Sequence, residues 1–183
     1  MSAGNKNQIP NTNIYLIGFM AAGKTAVGKH LAKQLHRTFF DTDEIIERQL
    51  GQNIAEVFRD RGETYFRGVE SAVVADVARQ QIAVVALGGG AILTPQNWQI
   101  IQATGVTVYL KWEITVLVKR LMTNDDRPLV FGNDEADRES RILNLFKKRE
   151  SLYQRAGFTV ACDESMPPER IADQIVNIIG KES

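Results

Sequence analysis

Apolar and polar positions fall into alternating blocks along this chain. Asn13–Gly18 carries Ile-Tyr-Leu-Ile, a short continuous apolar run of the kind that forms a buried strand. From Lys24 to Leu35 the spacing changes, and Val27, Leu31 and Leu35 share one face at the helical period. Thr38–Asp41 predicts a short strand ending in acid. Helical patterns follow over Glu44–Leu50 and from Ile54 to about Arg61; Gly62 interrupts, and Glu63–Arg79 is helical again. Ile82–Leu87 is a near-continuous apolar strand that runs into Gly88-Gly89-Gly90. Beyond it come a helix over Pro95–Ala103, a strand over Val106–Leu110, helices over Glu113–Met122 and Ala136–Arg155, a last strand over Phe158–Ala161 and a last helix over Pro168–Ile179.

Five short apolar strands alternating with helices predict an α/β three-layer sandwich. Its five-stranded sheet is parallel, because strands buried on both faces read as continuous apolar runs. The 183 residues suit one domain, placed at 13–183 behind a disordered polar tail over 1–12. The stretch Thr123–Asp137 is polar, charged and aperiodic, and is read as a mobile lid.

Composition narrows the partners. Lys plus Arg and Asp plus Glu each number 22, for a net charge of zero. Such a chain has no global attraction to nucleic acid or to an anionic membrane. No apolar run approaches the ~18 residues of a membrane span, and the first dozen residues lack the apolar core of a signal peptide. The single cysteine, Cys162, leaves no intrachain disulfide and suits a reducing compartment. The reading is a cytoplasmic protein.

Chemistry enters at Gly18-Phe-Met-Ala21-Ala22-Gly23-Lys24-Thr25-Ala26, which matches G-x-x-x-x-G-K-[ST] between a buried strand and a helix. Loop amides and the helix N-terminus can surround phosphate oxygens, Lys24 can stand by the β- and γ-phosphates, and Thr25 can ligate Mg²⁺. The alternative is a glycine turn that binds nothing. Gly88-Gly89-Gly90 follows a second buried strand, at the strand ends that line the crevice of a parallel sheet. Three residues without side chains let a ligand approach the backbone; a plain tight turn is the other reading.

The acceptor side of the crevice spans about 43–79. Asp43 can orient or deprotonate an acceptor hydroxyl, or it can cap the next helix. Asp41 can hold a water of the Mg²⁺ shell. In the helix from Glu63, Glu70 falls within the apolar stripe and Arg67 at its edge. This is a pair that fixes a guanidinium for an anion, or an ordinary surface pair. Arg149 projects from the middle of the stripe Ile142, Leu145, Phe146, Leu152 and Tyr153, where a cation must meet an anion or snorkel out. Phe58 and Phe66 wall the same pocket or serve as core. Arg127, before Pro128 in the lid, can fold over transferring phosphates or remain a solvated charge. Arg120 lies against adenine or complements its helix dipole.

Taken together, Gly18-x4-Gly23-Lys24-Thr25, Asp41-x-Asp43, Phe66-Arg67-x2-Glu70, Gly88-Gly89-Gly90, Arg127-Pro128-Leu129 and Arg149-x3-Tyr153 resemble shikimate kinase in order and spacing. The segment Gly51-x2-Ile54-x-Glu56-x-Phe58-x3-Gly62-Glu63 strengthens the likeness, which covers residues 13–180. The resemblance implies a P-loop kinase of the nucleoside-monophosphate-kinase type. It implies transfer of the ATP γ-phosphate to the 3-hydroxyl of shikimate, with Mg²⁺, within aromatic amino-acid biosynthesis. Position by position, it implies that Asp43, Arg67, Gly89, Gly90 and Arg149 hold shikimate, the two arginines on its carboxylate. It puts Lys24 and Arg127 on the transferring phosphoryl group, Thr25 and Asp41 on Mg²⁺, and Arg120 and the loop near Pro167 beside adenine. The partner is this small molecule, and the protein is read as a monomer. One departure is visible: many relatives carry glycine where this loop has Ala21. If the position needs a positive φ, alanine costs about 1 kcal/mol.

Three rival readings remain at this level. A gluconate or nucleotide kinase shares the phosphate loop, but the Phe-Arg-x2-Glu helix and the triple glycine favour shikimate. A non-catalytic ATP-binding relative would have lost Lys24, Asp43 or Arg127. A basic-helix RNA binder would use Arg141, Lys147, Lys148 and Arg155, yet the chain is neutral and has no base-stacking motif.

Overall fold

The computed structural model describes residues 9–123 and 135–181. Five strands, β1 (Asn13–Ile17), β2 (Thr38–Asp41), β3 (Ala83–Ala86), β4 (Gly105–Lys111) and β5 (Phe158–Ala161), form one sheet in the order β2-β3-β1-β4-β5. Every pairing is parallel. β1 and β3 are buried along their whole length, as their unbroken apolar sequences require.

The described helices are α1 (Lys24–Leu35), α2 (Thr42–Leu50), α3 (Ile54–Ala78), α4 (Pro95–Thr104), α5 (Ile114–Met122), α6 (Glu135–Tyr153) and α7 (Pro168–Ile179). The chain steps from β1 out to β2 and then back across the sheet. Right-handed crossovers therefore put α1 on one face and the later connections on the other. The packing agrees: α1 contacts α7, α3 contacts α2 and α4, and α5 contacts α6. The expected three-layer α/β sandwich is the fold found.

Local chemistry sets the boundaries. α3 opens with a reciprocal capping box between Asn53 and Glu56. Its two expected halves are joined at Gly62, whose φ of 78° and ψ of 171° break the helical path. A residue with a side chain resists that conformation, so the bend falls on the glycine. α2 begins at Thr42, two residues earlier than its pattern predicts. Asp41 ends β2 in an extended conformation and its Oδ1 accepts from the amides of Asp43, at 3.0 Å, and Glu44, at 3.3 Å. The cap is therefore Asp41, and the reading of Asp43 as the cap is corrected.

Of the segment read as a tail, only residues from Ile9 onward are described; there Arg37 donates to the carbonyls of Pro10 and Thr12. The expected lid over 123–137, with Arg127, lies outside the described residues apart from its ends. Among the described residues, no helix is long and apolar enough to cross a membrane. Cys162 is a buried core residue beside β5, and burial pushes its thiol up to about 12.

Candidate active site

The sheet delivers its chemistry to one edge, beyond the C-terminal ends of β1, β2 and β3. β1 ends in the loop Gly18–Gly23, which turns directly into α1. Ala21 has φ 59° and Gly23 has φ 81°, left-handed conformations of the kind from which backbone amides build anion-binding loops. The loop is anchored from behind. Trp112 Nε1 donates to the Ala22 carbonyl at 3.0 Å, and Arg120 Nη1 to the Ala21 carbonyl at 3.2 Å, with the Arg120 guanidinium 3.8 Å from the Trp112 ring centre. Phe19 is buried edge-on against Phe146, centroids 5.4 Å apart. Neither a side-chain cap nor an acid occupies the first turn of α1, which leaves its N-terminus suited to phosphate.

Ala21 does adopt the left-handed conformation, so the strain anticipated for alanine is present. Ala21→Gly should relieve about 1 kcal/mol, offset in part by the freer unfolded glycine. A net gain of about 0.5 kcal/mol in denaturant unfolding is the expected result. A loss would mean that the Ala21 methyl, which packs against the core, matters more than the strain.

Lys24 Nζ lies 3.0 Å from both the Gly18 and Phe19 carbonyls, across the mouth of the loop. Thr25 Oγ1 donates to Asp41 Oδ2 at 2.6 Å. The two oxygens of Asp41 are thus divided, one capping α2 and the other on Thr25. A hydroxyl and a carboxylate oxygen side by side are hard donors that fit Mg²⁺, which takes one or two protein oxygens and shares the rest with phosphate and water.

Next to the phosphate loop opens a cleft of ≈ 370 Å³. It brings together Asp43, Phe58, Phe66, Arg67, Gly89, Gly90 and Arg149, residues drawn from α2, α3, the β3 loop and α6. Gly88 does not line it. Its amide donates to Thr42 Oγ1 at 2.8 Å, and a Cβ there would collide with the Asp43 carboxylate. The triple glycine is therefore divided: Gly88 makes room for an acid, while Gly89 and Gly90 face the cleft. A Cβ on Gly90 would stand 2.5 Å from Arg67 Nη1.

Arg67 is held on several sides. Nη1 reaches Glu70 Oε2 at 2.6 Å, and the rings of Phe66 and Phe58 flank it at 5.2 and 6.0 Å. Glu70 is fully buried, and desolvation pushes its carboxyl above the usual range despite the pull of Arg67. The surface-pair reading is thereby excluded, because Glu70 is buried at its end of the pair. Arg149 differs. Its Nη1 makes a long contact of 3.4 Å to the Gly89 carbonyl, and its Nε is buried with no hydrogen-bond acceptor among the described residues. Tyr153 holds the same carbonyl at 2.6 Å; burial pushes its phenol up to about 12, so it stays a proton donor.

Several cleft residues are given no place in the site by the sequence reading. Met20, Ile54 and Leu145 supply apolar wall, and Glu63 and Arg141 supply charge. Isolated apolar residues carry no signal of a ligand. Glu63 did, standing four residues before Arg67. Trp112 was also unread, since one tryptophan after a strand looks like core. Pro167 is exposed at the N-cap of α7, away from this cleft.

The comparisons agree with this geometry. A sequence model described as shikimate kinase matches residues 20–180. A shikimate kinase of Rippkaea orientalis is 39% identical over 167 residues, 91% of this chain and 87% of that protein. One of Aeromonas salmonicida is 40% identical over 168 residues, 92% and 96% of the two chains. Among solved structures, shikimate kinase from Acinetobacter baumannii in complex with shikimate superposes with a TM-score of 0.86 at 34% identity, covering 93% of this chain and 94% of that one. With a phosphate loop, an acid and two arginines meeting in one cleft, and a family match over nearly the whole chain, this protein belongs to the shikimate kinase family.

Proposed function

We propose that the chain transfers the γ-phosphate of ATP to the 3-hydroxyl of shikimate, giving shikimate 3-phosphate and ADP. The observation that carries this reading is the cleft itself. Among the charged groups lining it, the Arg67 and Arg149 guanidiniums and the Asp43 carboxylate stand beside Met20 of the phosphate loop, with Glu63, Glu70 and Arg141 around them. Cations to receive a carboxylate and a carboxylate to receive a hydroxyl are what an acceptor that is both acid and alcohol needs. The two arginines bind the acid, Arg67 held in place by Glu70. Asp43 receives or orients the acceptor hydroxyl proton. Lys24 and Arg127 neutralise charge on the phosphoryl group. Bound between Thr25, Asp41 and the phosphates, Mg²⁺ would supply further charge neutralisation. Arg120, and the loop near Pro167, flank the adenine. The protein works as a single-domain monomer in the cytoplasm, within aromatic amino-acid biosynthesis.

The test is ADP release with Mg²⁺ and a panel of shikimate, quinate, gluconate and nucleoside monophosphates. Turnover with shikimate well above background is expected; turnover of gluconate or a nucleotide with shikimate inert would overturn the acceptor. Asp43→Asn should lower kcat at least about tenfold. Because Asp41 caps α2, melting temperature should hardly change. A variant that loses stability and keeps kcat would return Asp43 to a structural role.

A further inference from the structure

Arg67 meets two carboxylates, and they are unlike. Glu70 is buried and takes Nη1. Glu63 takes the opposite edge: its Oε1 accepts from Nε at 3.3 Å and from Nη2 at 3.2 Å. Its side chain is 65% exposed, against 1% for Glu70. It sits immediately after the Gly62 break, as the first residue of the second half of α3, and it lines the acceptor cleft.

The Nε–Nη2 edge is one of the two forks with which a guanidinium grips a carboxylate. The other, Nη1–Nη2, is pressed toward Gly90 and shared with Glu70. An acid entering the cleft therefore meets an edge of Arg67 already taken by an acid of the protein. That occupant is weakly held. Both of its bonds are long, both end on a single oxygen, and the side chain reaches into solvent, where such a pair is worth little.

We propose that Glu63 is a tethered carboxylate that holds the Nε–Nη2 edge of Arg67 until the acceptor's carboxylate displaces it, and that this exchange sets the affinity for the acid. The proposal rests on the reading of Arg67 as an acceptor-binding residue. In the empty cleft, Glu63 keeps the guanidinium extended between Phe58 and Phe66 and balances its charge. On binding, it swings into water, at a cost taken from the affinity of the acceptor. A cleft so arranged also discriminates: a neutral molecule of the same shape cannot displace Glu63 and finds the fork closed.

The test is calorimetric titration of the full chain with shikimate, without nucleotide, for the parent, Glu63→Gln and Glu63→Asp, with ADP titrated as a control. Glutamine removes the charge. Aspartate keeps it, but a side chain one methylene shorter than one already at 3.2–3.3 Å falls short of Arg67. Both variants should bind shikimate about two- to fivefold more tightly, as loss of an exposed competing ion pair predicts, with ADP affinity unchanged. Tightening in glutamine alone would overturn the tether in favour of a simple field effect. Unchanged or weaker binding in both would show that Glu63 only steadies Arg67. A parent that binds no shikimate would fail the acceptor assignment itself and take this inference with it, a result distinct from the other two.

Discussion

Replacing Lys24 by methionine should abolish turnover and leave the fold intact. The ammonium lies 3.0 Å from the Gly18 and Phe19 carbonyls, a position from which a small rotation of its stem aims it at phosphate oxygens in the loop. Charge that develops on a transferring phosphoryl group is stabilised there far more than in water, because the site is preorganised and partly desolvated. Groups of this kind typically contribute about 3–4 kcal/mol, or about 10²–10³ in kcat. Methionine keeps an unbranched apolar stem and loses the terminal ammonium, so the buried residues of α1, Val27, Leu31 and Ala32, keep their packing. The carbonyls it abandons lie at the loop mouth, where water can replace the ammonium. The measurement pairs kcat from ADP release with a thermal melt. Near-normal kcat in a folded variant would remove Lys24 from catalysis; a collapsed melt would mean that its two carbonyl bonds hold the loop together.

Arg149 should give the second largest effect, on the acceptor and not on the nucleotide. Its Nε is buried with no hydrogen-bond acceptor among the described residues and its Nη1 makes one long contact. A guanidinium in that state makes no ion pair within salt-bridge distance among the described residues, and an acceptor carboxylate would complete it. Truncating one partner of a buried charge pair typically costs about 2–5 kcal/mol, and each 1.4 kcal/mol is about tenfold in affinity. Arg149→Lys keeps the charge and loses the two-pronged geometry, so shikimate binding should weaken by about tenfold or more, and by more still in Arg149→Ala. ATP affinity measured without shikimate should barely move. A decarboxylated analogue should bind the parent poorly and lose little further on mutation. If both variants bind shikimate normally, or the analogue loses as much as shikimate does, Arg149 is structural and Arg67 holds the acid alone.

The Glu63 experiment and the Arg149 experiment pull in opposite directions on the same quantity. Removing a cation that receives the acceptor weakens binding, while removing an anion that competes with it strengthens binding. Agreement of both with expectation would establish the acceptor's carboxylate as the group recognised, without any change in the phosphate loop.

Much of this protein is written in short-range pattern. The five strands are legible because a strand buried on both faces must be apolar throughout, and the helices because one face of each must meet the sheet. The phosphate loop is legible because its glycines, lysine and threonine fall at fixed spacing within eight residues and their flanks are a strand and a helix. Gly62 marks the bend in α3 for a local reason also, since its φ is open to glycine and resisted by other residues. The cap of α2 is not legible in this way: Asp41 and Asp43 are both acids at the end of β2, and local pattern does not say which folds back. Tertiary structure decided that Asp41 caps α2 and meets Thr25, because the parallel register sets the end of β2 beside the phosphate loop. It decided the division of the triple glycine, since only the approach of Asp43 and Arg67 gives Gly88 and Gly90 different work. It decided the support of the loop by Trp112 and Arg120, which lie 90 and 99 residues further along the chain than the carbonyls they hold. The contrast between Arg67, doubly paired, and Arg149, whose buried Nε meets no acceptor among the described residues, is of the same kind. Chemistry confined to one turn or one period is carried by neighbours in sequence; a hydrogen-bond partner is chosen in three dimensions, after the sheet has brought distant strand ends to one edge.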